Sequence, residues 1–236
     1  MQVPVSATGY NQDFVIGATD TFAGGKTGSM DNGAGATTGN TWYAQGFNTA
    51  APTTGLPTGP VTSQSDANTT LQLQPFGAAD VTASNTLLID SANTAGTLTL
   101  TSPAQYSTLS VFGSTGGGNN VVNYTLNFAD GSNQTGMITF PDWFGNTPVA
   151  ILANGRVNEN GFDSVNSGNP NIYQEDISFT NPGANLQSIA FAFNTGGGHT
   201  GIMAISGTLV PEPASVGLLA LAAVGMLVRR RRLPRS

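Results

Sequence analysis

The sequence predicts an all-β fold: a jelly-roll-like antiparallel β-sandwich followed by a single C-terminal transmembrane helix. Three observations lead there. Over residues 1–208, apolar side chains alternate with polar ones in short runs, and no helix-length period appears. Turn-forming residues punctuate these runs, the 236-residue chain holding 31 Gly and 13 Pro. Charged residues make up only 8% of the chain. Soluble domains usually carry ~25%, and helical bundles, coiled coils and highly charged disordered chains depend on charge.

Each strand has its own warrant. Leu71–Gln74 and Thr86–Asp90 are short apolar candidates. In Thr97–Thr101, Leu98 and Leu100 point inward and the threonines outward; in Ser107–Phe112, Leu109 and Val111 share a face. The clearest run is Val122–Phe128. Val122, Tyr124, Leu126 and Phe128 face one way, while Asn123, Thr125 and Asn127 face the other. Ala129-Asp130-Gly131-Ser132 supplies a turn, because Gly131 tolerates positive φ, and Gln134–Phe140 returns as the partner strand. Tyr173–Phe179 follows, then Leu186–Phe193 with Ile189, Phe191 and Phe193 on one face, and Ile202–Leu209 closes the sheet. Thirty threonines suit half-exposed pleated surfaces. Gly24–Asn40 and Ala50–Ser65 read as long surface loops within a single domain spanning 1–209, since residues 1–60 hold too little apolar material for a core of their own. An apolar content of 39%, with twelve Phe, is enough for one core.

The span 106–208 resembles galactose-binding-like sandwich modules found beside carbohydrate-active enzymes. The residues that carry the likeness are Tyr106–Phe112, Phe128-Ala129-Asp130-Gly131, Pro141-Asp142-Trp143-Phe144, Gln174-Glu175-Asp176-Ile177 and Ile189–Phe193. The resemblance implies the sandwich; the same fold hosts many roles.

Residues 210–236 form a separate unit. Pro211-Glu212-Pro213 precedes Ala214–Val228, which contains no charge and no proline, and then come Arg229, Arg230, Arg231 and Arg232, with Arg235 beyond. As a helix the fifteen-residue span is about 22 Å long, short of a ~30 Å bilayer core, so arginine snorkelling or local thinning makes up the difference. A core helix followed by a solvated basic end is the alternative, but such a helix would show a polar face, and this one is apolar or small all round. The arginines keep their flank cytoplasmic and place the body across the inner membrane.

The order motif, apolar span, arginine cluster resembles the PEP-CTERM sorting signal of Gram-negative bacteria. The resemblance implies recognition of Pro211, Glu212 and Pro213 by exosortase, a membrane cysteine protease, with release or transfer to the cell surface. It also implies an association with exopolysaccharide and biofilm. Such a protein needs an export signal as well; Met1–Val5 leads straight into polar sequence, so the true start is expected upstream of Met1.

Charge and composition exclude much chemistry. Residues 1–210 set Lys26 and Arg156 against twelve acidic residues, an acidic body that cannot compete for phosphate backbones, so nucleic acid is excluded as a partner. With no Cys and only His199, thiol nucleophiles, Cys-ligated metals and multi-His metal sites are absent. His199 lies in Gly196-Gly197-Gly198-His199-Thr200-Gly201, which reads as a turn between strands, without a nucleophile-elbow motif. Gly24-Gly25-Lys26-Thr27 lacks the spacing of a phosphate loop.

Two further sites are weighed. Trp143 with Asp142, and Trp42 beside Tyr43, offer aromatic faces for stacking sugars, or else plug the ends of the sandwich while Asp142 caps a turn. Asp13, Asp20, Asp31, Asp163, Glu175 and Asp176 are available for a structural Ca²⁺, although none forms an EF-hand loop. No cofactor is expected. The reading is an exported, non-catalytic surface or biofilm-matrix protein that binds glycan or serves as matrix material. The alternatives are a lyase or hydrolase on a β-sandwich, and a purely structural or adhesive protein.

Overall fold

The computed structural model describes residues 1–22, 26–36, 38–48, 55–76, 83–145, 148–153, 155–163, 170–180 and 183–211. The first third of the chain forms eight short strands: β1 (Val3–Pro4), β2 (Ala7–Thr8), β3 (Val15–Ile16), β4 (Gly28–Ser29), β5 (Gly33–Ala34), β6 (Trp42–Tyr43), β7 (Pro60–Thr62) and β8 (Thr70–Gln72). Then come β9 (Leu87–Ile89), β10 (Ala95–Ala104), β11 (Tyr106–Gly116), β12 (Asn120–Phe128) and β13 (Asn133–Phe140). The chain closes with β14 (Val149–Leu152), β15 (Arg156–Asn158), β16 (Gly161–Asp163), β17 (Asn171–Ser178), β18 (Leu186–Gly196) and β19 (His199–Leu209). The described residues are all-β. They contain no helix long and apolar enough to cross a membrane, and the expected span Ala214–Val228 lies outside them.

Two sheets face each other. One runs β1-β19-β11-β17-β14, with β9 also paired to β19; the other runs β13-β12-β18-β10-β2. The alternation read from the sequence holds in the second sheet. Leu98, Leu100, Val122, Leu126, Ile189 and Phe191 turn inward and are buried, while Thr97 and Thr99 are exposed. The β12–β13 hairpin pairs Leu126 with Gln134 and Asn127 with Asn133, and Gly131 takes φ +84° in its turn. From the first sheet, Val5, Leu109, Val111, Ile177 and Ile205 meet this face in one continuous core.

The first sheet differs: it is covered on both sides. In β19 every residue from Thr200 to Gly207 is buried, and in β11 every residue from Leu109 to Gly116. Such strands read as continuous runs rather than alternation. Between Phe112 and Gly113 the pairing with β19 slips by one residue, from Ala204 to Ile202. Met203 is the residue skipped, so Met203 and Ala204 both pack on the outer side, with Phe112 and Ile172.

The cover corrects the expectation of long surface loops over 24–65. The described parts of that stretch hold β4–β7, and Met30, Trp42, Tyr43, Ala44 and Leu56 in it are at most 1% exposed. They pack on the outer face of the first sheet together with Phe14, Val15, Leu71 and Leu73. A smaller cluster of Ile16, Tyr43, Phe47 and Val157 lies beside them. Polar bonds fix the layer: Phe14 N–H donates to Asn85 Oδ1 at 3.0 Å, and Thr41 and Val157 exchange backbone bonds of 2.8 and 3.1 Å. Apolar residues are sparse here, but they are large, and the exposed back of an apolar sheet supplies the core they lack on their own.

Two outcomes follow. A Cβ on Gly116 would fall 2.0 Å from the Met30 carbonyl oxygen, a backbone atom that cannot swing aside. Gly116→Ala therefore shifts the covering layer and costs about 1–3 kcal/mol in urea unfolding; an unchanged midpoint would mean the layer is not seated there. The second concerns pH. Burial pushes the Asp13 carboxyl up to about 7, against bonds from Asn85 and Val15 that pull it down. Burial and the neighbouring charge of Asp176 push Glu175 up to about 7 as well. The folded chain thus holds protons that the unfolded chain releases near the ordinary value, 3.8 for Asp13. Stability falls as pH rises from about 4 to about 7 and levels off above. Asp13→Asn keeps the accepting oxygen and removes the charge, so it flattens that slope and gains on the order of 1 kcal/mol over wild type at pH 8.

Candidate functional site

Asp142 and Trp143 follow β13 directly, and Trp42 arrives on β6 from the covering layer. The two indoles meet edge to face, centroids 5.1 Å apart and planes at 80°. Trp42 is 0% and Trp143 1% exposed. Neither offers a free ring face, so the glycan-platform reading of Trp42 and Trp143 is corrected to the plug. The physical reason is the double burial of the first sheet: Thr41 and Asp142 precede the two tryptophans in sequence, but the rings themselves fill the space between sheet and cover.

The surroundings confirm a structural joint. Trp143 N–H donates to Thr115 O at 2.7 Å, and Asn171 N–H donates to Trp143 O at 2.7 Å, so the residue is strung between β11 and β17. Asp142 caps its turn. Its Oδ1 accepts from Phe144 N–H at 3.0 Å and its Oδ2 from Gly118 N–H at 2.8 Å. Its carbonyl takes the Tyr173 hydroxyl at 2.9 Å.

Arg156 is the residue that the sequence reading did not single out. Its guanidinium carbon lies 5.4 Å from the Trp143 ring centroid and 4.8 Å from that of Phe144. Asp163 holds it through contacts of 3.0 and 2.8 Å, and Asp31 stands 3.8 Å away. A cation between aromatic faces and two carboxylates fastens the β15–β16 hairpin to the plug. The available signal was scarcity: Arg156 is the only arginine in residues 1–210.

Of the carboxylates weighed for Ca²⁺, Asp31 and Asp163 meet only at Arg156, and Glu175 and Asp176 are neighbours in β17. Asp13 is bonded by Asn85, Asp20 by Gly17 N–H, Asp31 and Asp163 serve Arg156, and Ser110 and Gln174 donate to Asp176. Among the described residues no three His, Cys, Asp or Glu side chains group as a metal site. His199 opens β19 after the Gly197-Gly198 turn, as its glycine-rich setting suggests. Its Nδ1 lies 2.8 Å from Oδ2 of Asp90, which is buried. Burial alone would raise the Asp90 pKa, but donors from His199, Asn93 and Ala92 outweigh it and hold the carboxyl below its usual range. The pair ties the β18–β19 turn to the end of β9.

The remaining predicted site is the sorting motif. β19 stays in the sheet through Leu209, paired with Tyr106, and Val210 N–H still donates to Gln105 O at 2.9 Å. Pro211 is exposed at the domain boundary. Glu212, Pro213 and Arg229–Arg232 lie outside the described residues.

Because Trp143 is a plug, Trp143→Ala leaves a large void and costs about 3–5 kcal/mol of stability by urea or thermal unfolding. A Trp143→Ala variant with wild-type stability would restore the exposed-platform reading.

A family model for the PEP-CTERM protein-sorting motif matches residues 209–232. No curated protein matches the chain. The motif implies a secreted protein processed at the membrane by exosortase, a membrane protease, and the match begins on the last residue of β19.

Proposed function

We propose that the chain is an exported, non-catalytic surface or biofilm-matrix protein: a β-sandwich carried to the far side of the inner membrane, held there by its tail, and freed or transferred by exosortase. The observation that carries this reading is the direct junction of a fully formed core strand, β19, with the sorting motif at 209–232. A folded body with a membrane tether and no spacer is built to be delivered. The weak charge of the body, with its many Thr, Asn and Gly, suits a hydrated exopolysaccharide environment. A galactose-binding-like role, with glycan as ligand, belongs to the same proposal. With both tryptophans buried, a glycan contact would have to use residues other than Trp42 and Trp143.

The test follows the full-length precursor in a host with and without its exosortase. The expected result is a shortened product outside the cell in the complete host and a full-length membrane-bound form in the deletion strain. Replacing Pro211, Glu212 and Pro213 by alanine reproduces the deletion phenotype at unchanged body stability. Equal release of full-length protein in all three cases would overturn the reading.

A further inference from the structure

We propose that, before processing, the end of the sandwich from which the tail leaves rests on the lipid bilayer, with Val3 and Leu209 at the headgroup boundary. This rests on the reading of Ala214–Val228 as a membrane span and adds a docking surface to it. The first argument is reach. From Leu209 to Ala214 there are five Cα steps, at most about 18 Å fully extended. The headgroup layer takes up roughly 5–8 Å of that on each side of the hydrocarbon core. A body whose last sheet residue is Leu209 therefore stands no more than about 13 Å clear of the lipid.

The second argument is what that end presents. β1 pairs with β19 so that Val3 lies opposite Gly207, which places Val3 and Leu209 on neighbouring strands at the same end. Val3 is 41% and Leu209 51% exposed. Among the described residues the exposed large hydrophobics are these two, Met1 and Met137, and Met1 continues the same edge beyond Val3. The surrounding segments, Ser102–Gln105 and the described parts of 179–185, carry no charge. The acids toward this end, Asp66 and Asp130, sit on hairpin turns. Asp90, Asp142 and His199 lie at the opposite end, where β19 begins. The apolar tip, not charge, is what this end offers the lipid: burial of Met1, Val3 and Leu209 in the interface has to exceed the repulsion of Asp66 and Asp130 by anionic headgroups.

The chain contains no Cys, so single labels are clean. Full-length Val3→Cys, Leu209→Cys and Ser91→Cys variants each carry a polarity-sensitive nitrobenzoxadiazole probe and are reconstituted into 3:1 phosphatidylethanolamine–phosphatidylglycerol vesicles. Ser91 marks the opposite end. All three positions are exposed, and unfolding midpoints verify that each variant folds. The expected result is flotation of all three with the vesicles, with a blue shift and at least twofold quenching by headgroup-proximal doxyl lipid at positions 3 and 209 only. Flotation with water-like emission at 3 and 209 overturns the docking and leaves the anchor reading intact. Failure to float overturns both. A blue shift at position 3 that needs no lipid and grows with protein concentration means that a second copy covers the patch, and it overturns the bilayer as occupant.

Discussion

The structure depends on the burial of one sheet from both sides. Strands β11 and β19 lie at its centre, and their pairing sets two faces at once: Val111 opposite Ile205, looking into the sandwich, and Phe112 opposite Ala204, looking out. A sandwich of this size leaves one face of each sheet wet, and an apolar wet face exposes the chain to association. Here the N-terminal third closes that face with short strands too small to form a core alone. The covering layer and the sheet stabilise each other, which explains why strands of two and three residues persist as ordered structure. The slip at Met203 serves the same end: it lets two successive residues contribute to the outer cluster and widens the seat on which Phe14, Met30 and Trp42 pack.

This also explains what could be read from the sequence. The second sheet was legible because water touches one of its faces. Thr97, Thr99, Asn123 and Thr125 could be told from Leu98, Leu100, Val122 and Leu126 by alternation alone, and Gly131 announced its turn. In β11 the same rule recovered only the face carrying Leu109 and Val111. Ser110 and Ser114 are also buried, a fact alternation does not show because their partners, Asp176 and Asn171, lie tens of residues away. Trp42 suffered most. Its neighbours Asn40, Thr41 and Gln45 look like a polar loop, yet Thr41 is itself buried, bonded to Val157 and, through its hydroxyl, to Phe14 O. No local pattern distinguishes a tryptophan that stacks on a sugar from one that stacks on another tryptophan. That difference lies in the far partner, and only the sheet places it.

Charge is distributed by the same logic. With two cations in the body, each is committed. Arg156 is clamped between Asp163, Asp31 and the rings of Trp143 and Phe144. Lys26, nearly buried, donates to Gly39 O at 3.2 Å. Both belong to the covering layer, whose polar ties replace the apolar area it lacks. Every strand of the second sheet is free of charge, as are β1 and β19 apart from His199. The molecule therefore carries most of its charge in the cover, in β17 and at the His199 end, while the tail-exit end holds Asp66 and Asp130 on its hairpin turns and, among the described residues, no Lys or Arg.

The last strand then has two duties that constrain each other. β19 is the final element of the body, and it pairs with β11, with β9 and with β1, the first strand in the chain. The larger sheet cannot complete until residues near 207 meet residues near 3, so folding finishes only after nearly the whole body is available on one side of the membrane. Once complete, the strand is bonded through Leu209 and Val210, and an enzyme that needs extended substrate has purchase only beyond that point. Cleavage at Pro211 or later removes no sheet hydrogen bond and no core side chain. The sandwich thus protects its own upstream boundary: folding fixes where the sheet ends, and processing beyond Val210 leaves intact the strand that holds the body together.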